Sequence, residues 1–209
     1  TRIEYAYHRM AVDAGIEMSE CRLYEENDNS HFMTKRFDRD VETGTKIHMQ
    51  SLGALAHYDF NEPGAYSYEQ AGNVIYQLGM GQKEIEQLYR RMIFNVMARN
   101  QDDHVKNISF LMNKHGKWSL APAYDVTYSY DKTNRWLAKH QMSINGKVDN
   151  LTMEDLQECA KRMNIAKRRM EKIVEEIKMA TAQWERYAQD AKIKEQTFEE
   201  IRNNMYVCS

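Results

Sequence analysis

Apolar and aromatic positions along this chain fall mostly at helical spacing, interrupted where they gather in short runs. Ile3, Tyr7, Met10, Ala11 and Ala14 share one helical face, and the pattern stops at Gly15, a residue that readily takes the left-handed backbone closing a helix. Glu4, in the first turn, is a favourable charge at a helix amino end. Met18 to Tyr24 and His31 to Phe37 are short runs separated by Glu25-Glu26-Asn27-Asp28-Asn29-Ser30, which predicts a strand hairpin. The second strand ends in Lys35-Arg36-Phe37-Asp38-Arg39, and a polar linker from Asp40 to Lys46 follows. The linker divides the chain into a small mixed lobe, residues 1–39, and a helical lobe, residues 40–209.

Beyond the linker the pattern predicts helix almost without interruption. Ser67 and Gln70 form a capping box ahead of Val74, Ile75 and Leu78, and Gly79 and Gly81 end that helix. Ile85, Leu88, Tyr89, Met92, Ile93, Val96 and Met97 trace the clearest apolar face, which predicts a central core helix delivering the chain to Asn100. Ile108 to Met112 and Trp118 to Leu120 predict a hairpin across Asn113-Lys114-His115-Gly116, stopped by Pro122. A further hairpin is expected at Asn145-Gly146, after Gln141 to Ile144. Thr152 and Asp155 cap a helix running to Met163. Ile173, Ile177, Ala180, Trp184, Tyr187 and Ala191 stripe one long helix, and Phe198, Ile201 and Met205 mark the last.

Composition agrees with a predominantly helical α+β protein. Only two prolines and nine glycines interrupt 209 residues, while 14 methionines suit helix interiors. Hydrophobic residues at 42% and charged residues at 29% exclude a disordered chain, and the net charge of -2 gives no global attraction for nucleic acid or anionic membrane. Cys21, Cys159 and Cys208 are odd in number and lack metal-type spacing, which points to a reducing compartment. With no membrane-length apolar run and no basic-then-apolar leader, a cytoplasmic protein is expected. The chain opens on Thr1 in mid-pattern, so further sequence is expected upstream.

The densest chemistry lies in Asn100-Gln101-Asp102-Asp103-His104-Val105-Lys106-Asn107, with a further carboxylate at Asp125 beyond the hairpin. An Asn and an Asp converging from separate loops suit Mg²⁺, which takes few protein oxygens and completes its shell with phosphate and water. Asp102 is then left to accept a hydroxyl proton, and His104 and Lys106 place donors toward a transferring phosphoryl group. Asp102 and Asn107 stand five positions apart, the spacing of the kinase catalytic loop. A metal phosphohydrolase built on Asp102, Asp103 and His104 is the weaker alternative, because His48, His57 and His140 are scattered. The basic cluster Lys161, Arg162, Lys167, Arg168, Arg169 and Lys172 is interspersed with Glu171, Glu175 and Glu176, the pattern of a solvated helical face rather than a nucleic-acid surface.

Asn100-x-Asp102-x-His104-x-Lys106-Asn107, then Ser109-Phe110, Ala121-Pro122-Ala123-Tyr124-Asp125, Arg36-Phe37-Asp38-Arg39, and the region from His48-Met49-Gln50 to Ser67-Tyr68-Glu69 together resemble the HipA family of bacterial toxin kinases. The resemblance covers nearly the whole chain. It implies a protein-kinase-like helical C-lobe with a remnant of the mixed N-lobe, an ATP- and Mg²⁺-dependent serine/threonine kinase of a toxin-antitoxin system. It further implies Asp102 as catalytic base assisted by His104, Asn107 and Asp125 as metal ligands, and His104, Val105, Lys106, Asn107 and Tyr124 lining the phosphates. Lys35, Arg36 and Phe37 become the hinge meeting adenine, Asp38 reaches the ribose, and Glu4 orients a nucleotide-binding lysine. Implied partners are a serine-bearing protein, such as a translation enzyme, and a helix-turn-helix antitoxin through which any DNA contact is made. Val126 and Thr127 follow Asp125, so the switch phenylalanine of typical kinases is missing. Neither a phosphate-cradling loop nor its strand lysine is found in the sequence, so the chain alone is expected to bind ATP poorly. A non-catalytic kinase-fold module that binds a partner protein is the alternative.

Overall fold

A computed structural model describes residues 1–27 and 29–206; Asp28 in the anticipated turn and the Cys208 thiol lie outside it. Helix α1 (Arg2–Asp13) buries Ala6, Tyr7, Met10 and Ala11, and Gly15 ends the segment at φ +78°. Strands β1 (Cys21–Glu26) and β2 (Asn29–Thr34) pair antiparallel, with Leu23 opposite Phe32. That pair faces α1, where the Phe32 ring lies 6.3 Å from His8, while Tyr24 and Met33 turn outward to solvent. The hairpin is shifted from expectation. Met18 bridges Ala123 instead of a hairpin partner, and pairing stops at Thr34 because Lys35, Arg36 and Asp38 curl the chain into an ion cluster.

The helical lobe is less continuous than its periodicity predicts. The linker turns back on itself through a bridge between Arg39 and Lys46. It leads into β3 (His48–Ser51) and the short helix α2 (Leu52–Ala56), both too brief for a pattern to register. Helix α3 (Tyr68–Gln77) carries the expected capping box: Gln70 N donates to Ser67 Oγ at 3.1 Å and Ser67 N to Gln70 Oε1 at 2.7 Å. Helix α4 (Gln82–Met97) is the core axis, with Ile85, Leu88, Tyr89, Met92 and Ile93 fully buried. Strands β4 (Ser109–Met112) and β5 (Trp118–Leu120) form the predicted hairpin, but β3 adds to β4 and makes a three-stranded sheet. Asn145 and Gly146 form their turn, at φ +49° and +78°, closed by one reciprocal pair between Ile144 and Lys147 rather than by strands.

Helix α5 (Met153–Arg162) is capped by Thr152 and Asp155. The long helix expected next is split into α6 (Lys167–Thr181) and α7 (Trp184–Asp190), and α8 (Glu195–Asn204) follows. The stripe turns a corner at Ala182 because Trp184 is captured, its Nε1 donating to Phe198 O at 3.2 Å and its ring meeting Tyr7 edge-on at 5.6 Å. One hydrophobic core runs without a break from α1 through α3, α4, α5 and α6 to α8. The architecture is α+β, predominantly α.

Candidate active site

The loop after α4 is held from the core side. Asn100 Nδ2 donates to Asn95 Oδ1 at 2.9 Å, and Asn95 Nδ2 donates to Tyr68 Oη at 3.0 Å. Asp103, 3% exposed, accepts three hydrogen bonds: from Tyr68 Oη at 2.8 Å, His140 Nδ1 at 2.9 Å and Gln141 N at 2.7 Å. Val105 is buried, and Gly53 N donates to its carbonyl at 3.0 Å. A Cβ on Gly53 would stand 3.1 Å from Val105 Cγ2, so the close approach requires glycine. Val105 therefore serves the loop as an inward anchor, and its side chain does not reach the cleft. Buried Arg91 on α4 donates to Ala121 O at 2.7 Å and fixes the entry to the Asp125 turn.

Asp102, His104 and Lys106 alternate with these anchors and turn toward the cleft. Asn107 Nδ2 donates to Asp102 O at 2.9 Å, which fixes the amide and leaves its oxygen for a ligand. Among the described residues no donor bonds the Asp102 carboxylate. The His104 ring stands beside it, with Nε2 3.9 Å from Oδ1. Burial raises the Asp102 pKa, His104 opposes the rise, and the charges of Asp125 and Asp103 add to it. His104 Nδ1 is buried without a partner, and the ring stands edge-on to Phe60 at 6.1 Å. Lys106 Nζ sits 2.9 Å from the centroid of the same Phe60 ring. Tyr124 donates to Lys106 O and accepts from Ser109 Oγ, so the two loops are tied together. Asp125 is exposed and takes the left-handed backbone at φ +55°.

Around the second wall, Glu4, Phe32, Phe37, Tyr124 and Asp125 line one cavity. The Phe37 ring lies 5.7 Å from that of Tyr124. Burial raises the Glu4 pKa; the terminal ammonium opposes it and the Asp125 charge adds. Lys35 and Arg36 are exposed, with Lys35 Nζ 3.5 Å from Glu20. Arg36 grips Asp38 through two bonds at 2.8 and 2.7 Å, and Arg39 adds a third contact at 2.7 Å. These guanidiniums, Arg36 foremost, hold the Asp38 pKa down at about 2, so its carboxylate is committed rather than open.

Glu4 and Asp125 line one cavity, and the charge of Asp125 adds to the raised pKa of both Glu4 and Asp102, a repulsion that a divalent cation would relieve. The donors are all oxygens, as Mg²⁺ requires, and Asn107 offers a neutral one. Among the described residues no group of three or more His, Cys, Asp or Glu is arranged to hold a metal, so the Asn and Asp pair needs oxygens from a ligand. Of the histidines the phosphohydrolase alternative would draw on, His140 reaches the loop but is committed to Asp103, and His48 packs against Trp118 at 5.7 Å. The support that Tyr68, Asn95 and His140 give the loop is not readable in the sequence, and Asp103, which the phosphohydrolase alternative places at a metal, is bonded to Tyr68 and His140 instead. Their partners are distant in sequence, and no local motif announces them.

The profile of the HipA-like C-terminal domain family matches residues 1–184. A curated relative from Haemophilus influenzae, described as a putative kinase, is 31% identical over 134 residues, covering 58% of this chain and 39% of the relative. Among solved structures, HipA in the Shewanella oneidensis complex of HipA, HipB and operator DNA superposes with a TM-score of 0.77 at 15% identity, covering 97% of this chain and 53% of that one. The Helicobacter pylori proinflammatory kinase CtkA superposes with a TM-score of 0.52 at 13% identity, covering 95% and 86% respectively. At these identities the structural likeness establishes the kinase-like fold.

Proposed function

This chain belongs to the HipA-like C-terminal domain family, and from that premise we propose that it is the catalytic half of a serine/threonine protein kinase using ATP and Mg²⁺. The observation that carries the reading is the meeting of Asn107, Tyr124 and Asp125 on one cavity, with Asn107 bonded to the carbonyl of Asp102 itself. Asp102, free of hydrogen-bond donors among the described residues, accepts the proton of the attacking hydroxyl. Asn107 and Asp125 hold the metal, which when bound neutralises charge on the phosphates. His104 and Lys106 present donors beside it, and Tyr124 keeps the Lys106 backbone in place. Phe37 marks the adenine side of the cleft, with Lys35 and Arg36 contributing through their backbone. Asp38 reaches a ribose only by releasing Arg36. The division between residues 39 and 40 is the hinge of the two lobes.

The 209 residues contain no glycine-rich phosphate loop followed by a strand lysine, and the chain spans 39% of its Haemophilus relative and 53% of the Shewanella HipA chain. The upper half of the nucleotide site comes from polypeptide outside these residues, in the same or a separate molecule, and a HipB-type antitoxin is the regulatory partner. Calorimetric titration with Mg·ATP and radiolabel transfer test this directly. The chain alone binds ATP weakly and transfers little phosphate, and adding the missing half restores both. Micromolar affinity with robust autophosphorylation by the chain alone overturns the half-site reading. Full biological function of Asp102→Asn favours the non-catalytic module.

A further inference from the structure

Residues 129–141 leave the Asp125 turn and return to the catalytic loop as a closed excursion. At one foot, Ser129 N donates to Arg99 O at 3.0 Å and Gln101 N to Ser129 O at 3.1 Å. At the other, His140 and Gln141 bond the Asp103 carboxylate. The Gln141 side chain reaches back to Trp136 O, and Gly64 N donates to Gln141 O at 2.8 Å, so the excursion is also tied to the loop bearing Phe60. Both feet stand within one residue of Asp102, and the tip between them is exposed.

The tip has a distinctive charge. Lys132, Arg135 and Lys139 are exposed, and among the described residues no carboxylate pairs with them. The single acid in the tip, Asp131, is occupied by Thr133, which bonds it through N at 2.8 Å and Oγ1 at 2.7 Å. Trp136 is 36% exposed, with the Arg135 guanidinium 4.4 Å from its centroid. In the basic cluster of α5 and α6, by contrast, four side chains face acids: Lys161 faces Glu158 at 3.6 Å, Lys167 faces Glu171 at 3.9 Å, Arg169 faces Glu86 at 2.8 Å and Lys172 faces Glu176 at 3.8 Å. An exposed aromatic among uncompensated cations, fixed beside a proton acceptor, is a recognition surface rather than a solvated face.

We infer that the tip, centred on Lys132, Arg135, Trp136 and Lys139, docks an acceptor polypeptide carrying carboxylates beside its target hydroxyl and an apolar residue against Trp136. The inference rests on the kinase reading for the role of Asp102 but not for the docking itself. Nucleic acid is the less suited anion, since one exposed indole offers no succession of stacking platforms.

The test uses the full chain without nucleotide, so its result is independent of catalysis. Fluorescence anisotropy follows binding of a short labelled peptide with one serine between acidic residues and a leucine, beside a peptide with lysines in place of the acids and a single-stranded RNA of equal negative charge. The acidic peptide binds best, and binding weakens as salt rises. The combined Lys132→Glu, Arg135→Glu, Lys139→Glu variant loses affinity by about tenfold or more, as expected for reversing several rim charges. The same reversal at Lys161, Lys167 and Lys172, which imposes an equal change in net charge, leaves binding within about twofold. Trp136→Ala weakens binding with an unchanged salt dependence. Equal losses in the two triple variants, no binding of the acidic peptide, or tighter binding of the RNA overturns the inference. Binding as described, with no phosphate transfer by the completed kinase, would instead sink the catalytic reading and leave the docking surface standing.

Discussion

Two adjacent carboxylates divide the loop after α4 into a cleft side and a core side. Asp103 is buried under three donors, from Tyr68, His140 and Gln141. Asp102 faces the cleft without a donor among the described residues, and its pKa is raised by burial and by Asp125. One side satisfies its charge in the protein; the other keeps its charge for a ligand. The loop is therefore held through Asp103, while Asp102 keeps a raised pKa that its neighbours impose.

The largest expected effect separates the two sides by stability. Asp103→Ala leaves buried donors unpaired and should cost about 3–5 kcal/mol in chemical denaturation, lowering the melting midpoint by roughly 10 °C. Retention of wild-type stability would remove the core side of the contrast.

Asp102→Asn should do the reverse, lowering phosphoryl transfer by the completed kinase by about a hundredfold or more without destabilising the chain. The sign follows from linkage: a carboxyl whose folded pKa is raised favours folding below its ordinary value of 3.8, and that contribution is lost as pH rises through the raised value. The variant should match the wild type in acid and equal or exceed its melting temperature at neutral pH. A variant less stable at neutral pH than in acid, relative to wild type, would mean that Asp102 has a stabilising partner.

Gly53→Ala probes the core side more gently. The new Cβ meets Val105 at 3.1 Å and the Tyr58 carbonyl at 3.2 Å, an overpacking that should cost about 1–2 kcal/mol and shift the amide resonances of residues 102–107. At Asp125, Asn keeps a residue type tolerant of φ +55°, whereas Ala adds about 1 kcal/mol of backbone strain. Both substitutions should lower the pKa values of Glu4 and Asp102, read by carboxyl carbon NMR, because both remove the same charge. Unchanged titrations would separate Asp125 from the site.

The sequence singles out the residues on the cleft side and passes over the bonds on the core side. Asp102, Asn107 and Asp125 stand out by spacing and residue type, and α4 announces itself because its seven apolar positions obey one period. Asp103 looks like its neighbour; what distinguishes it are groups at positions 68, 140 and 141, brought together only by tertiary packing. Strand β3 is too short to show alternation and is created by its pairing with β4. The stripe across Trp184 reads as continuous because both halves face the same core, although the backbone breaks between α6 and α7. Asp38 shows the limit from the other direction: its place just beyond β2 is readable, but its capture by Arg36 and Arg39 is not.

The closed excursion from Ser129 to Gln141 also separates what selection can change from what it must keep. Its feet share hydrogen bonds with the loop that bears Asp102, so substitutions there register in the chemistry. Its tip bonds mainly to itself, through Asp131, Asn134 and Leu137, and can exchange length and charge while the feet stay in place. If the tip docks acceptors as inferred, new targets follow from rewriting a few exposed codons, with the loop that bears Asp102 inherited intact.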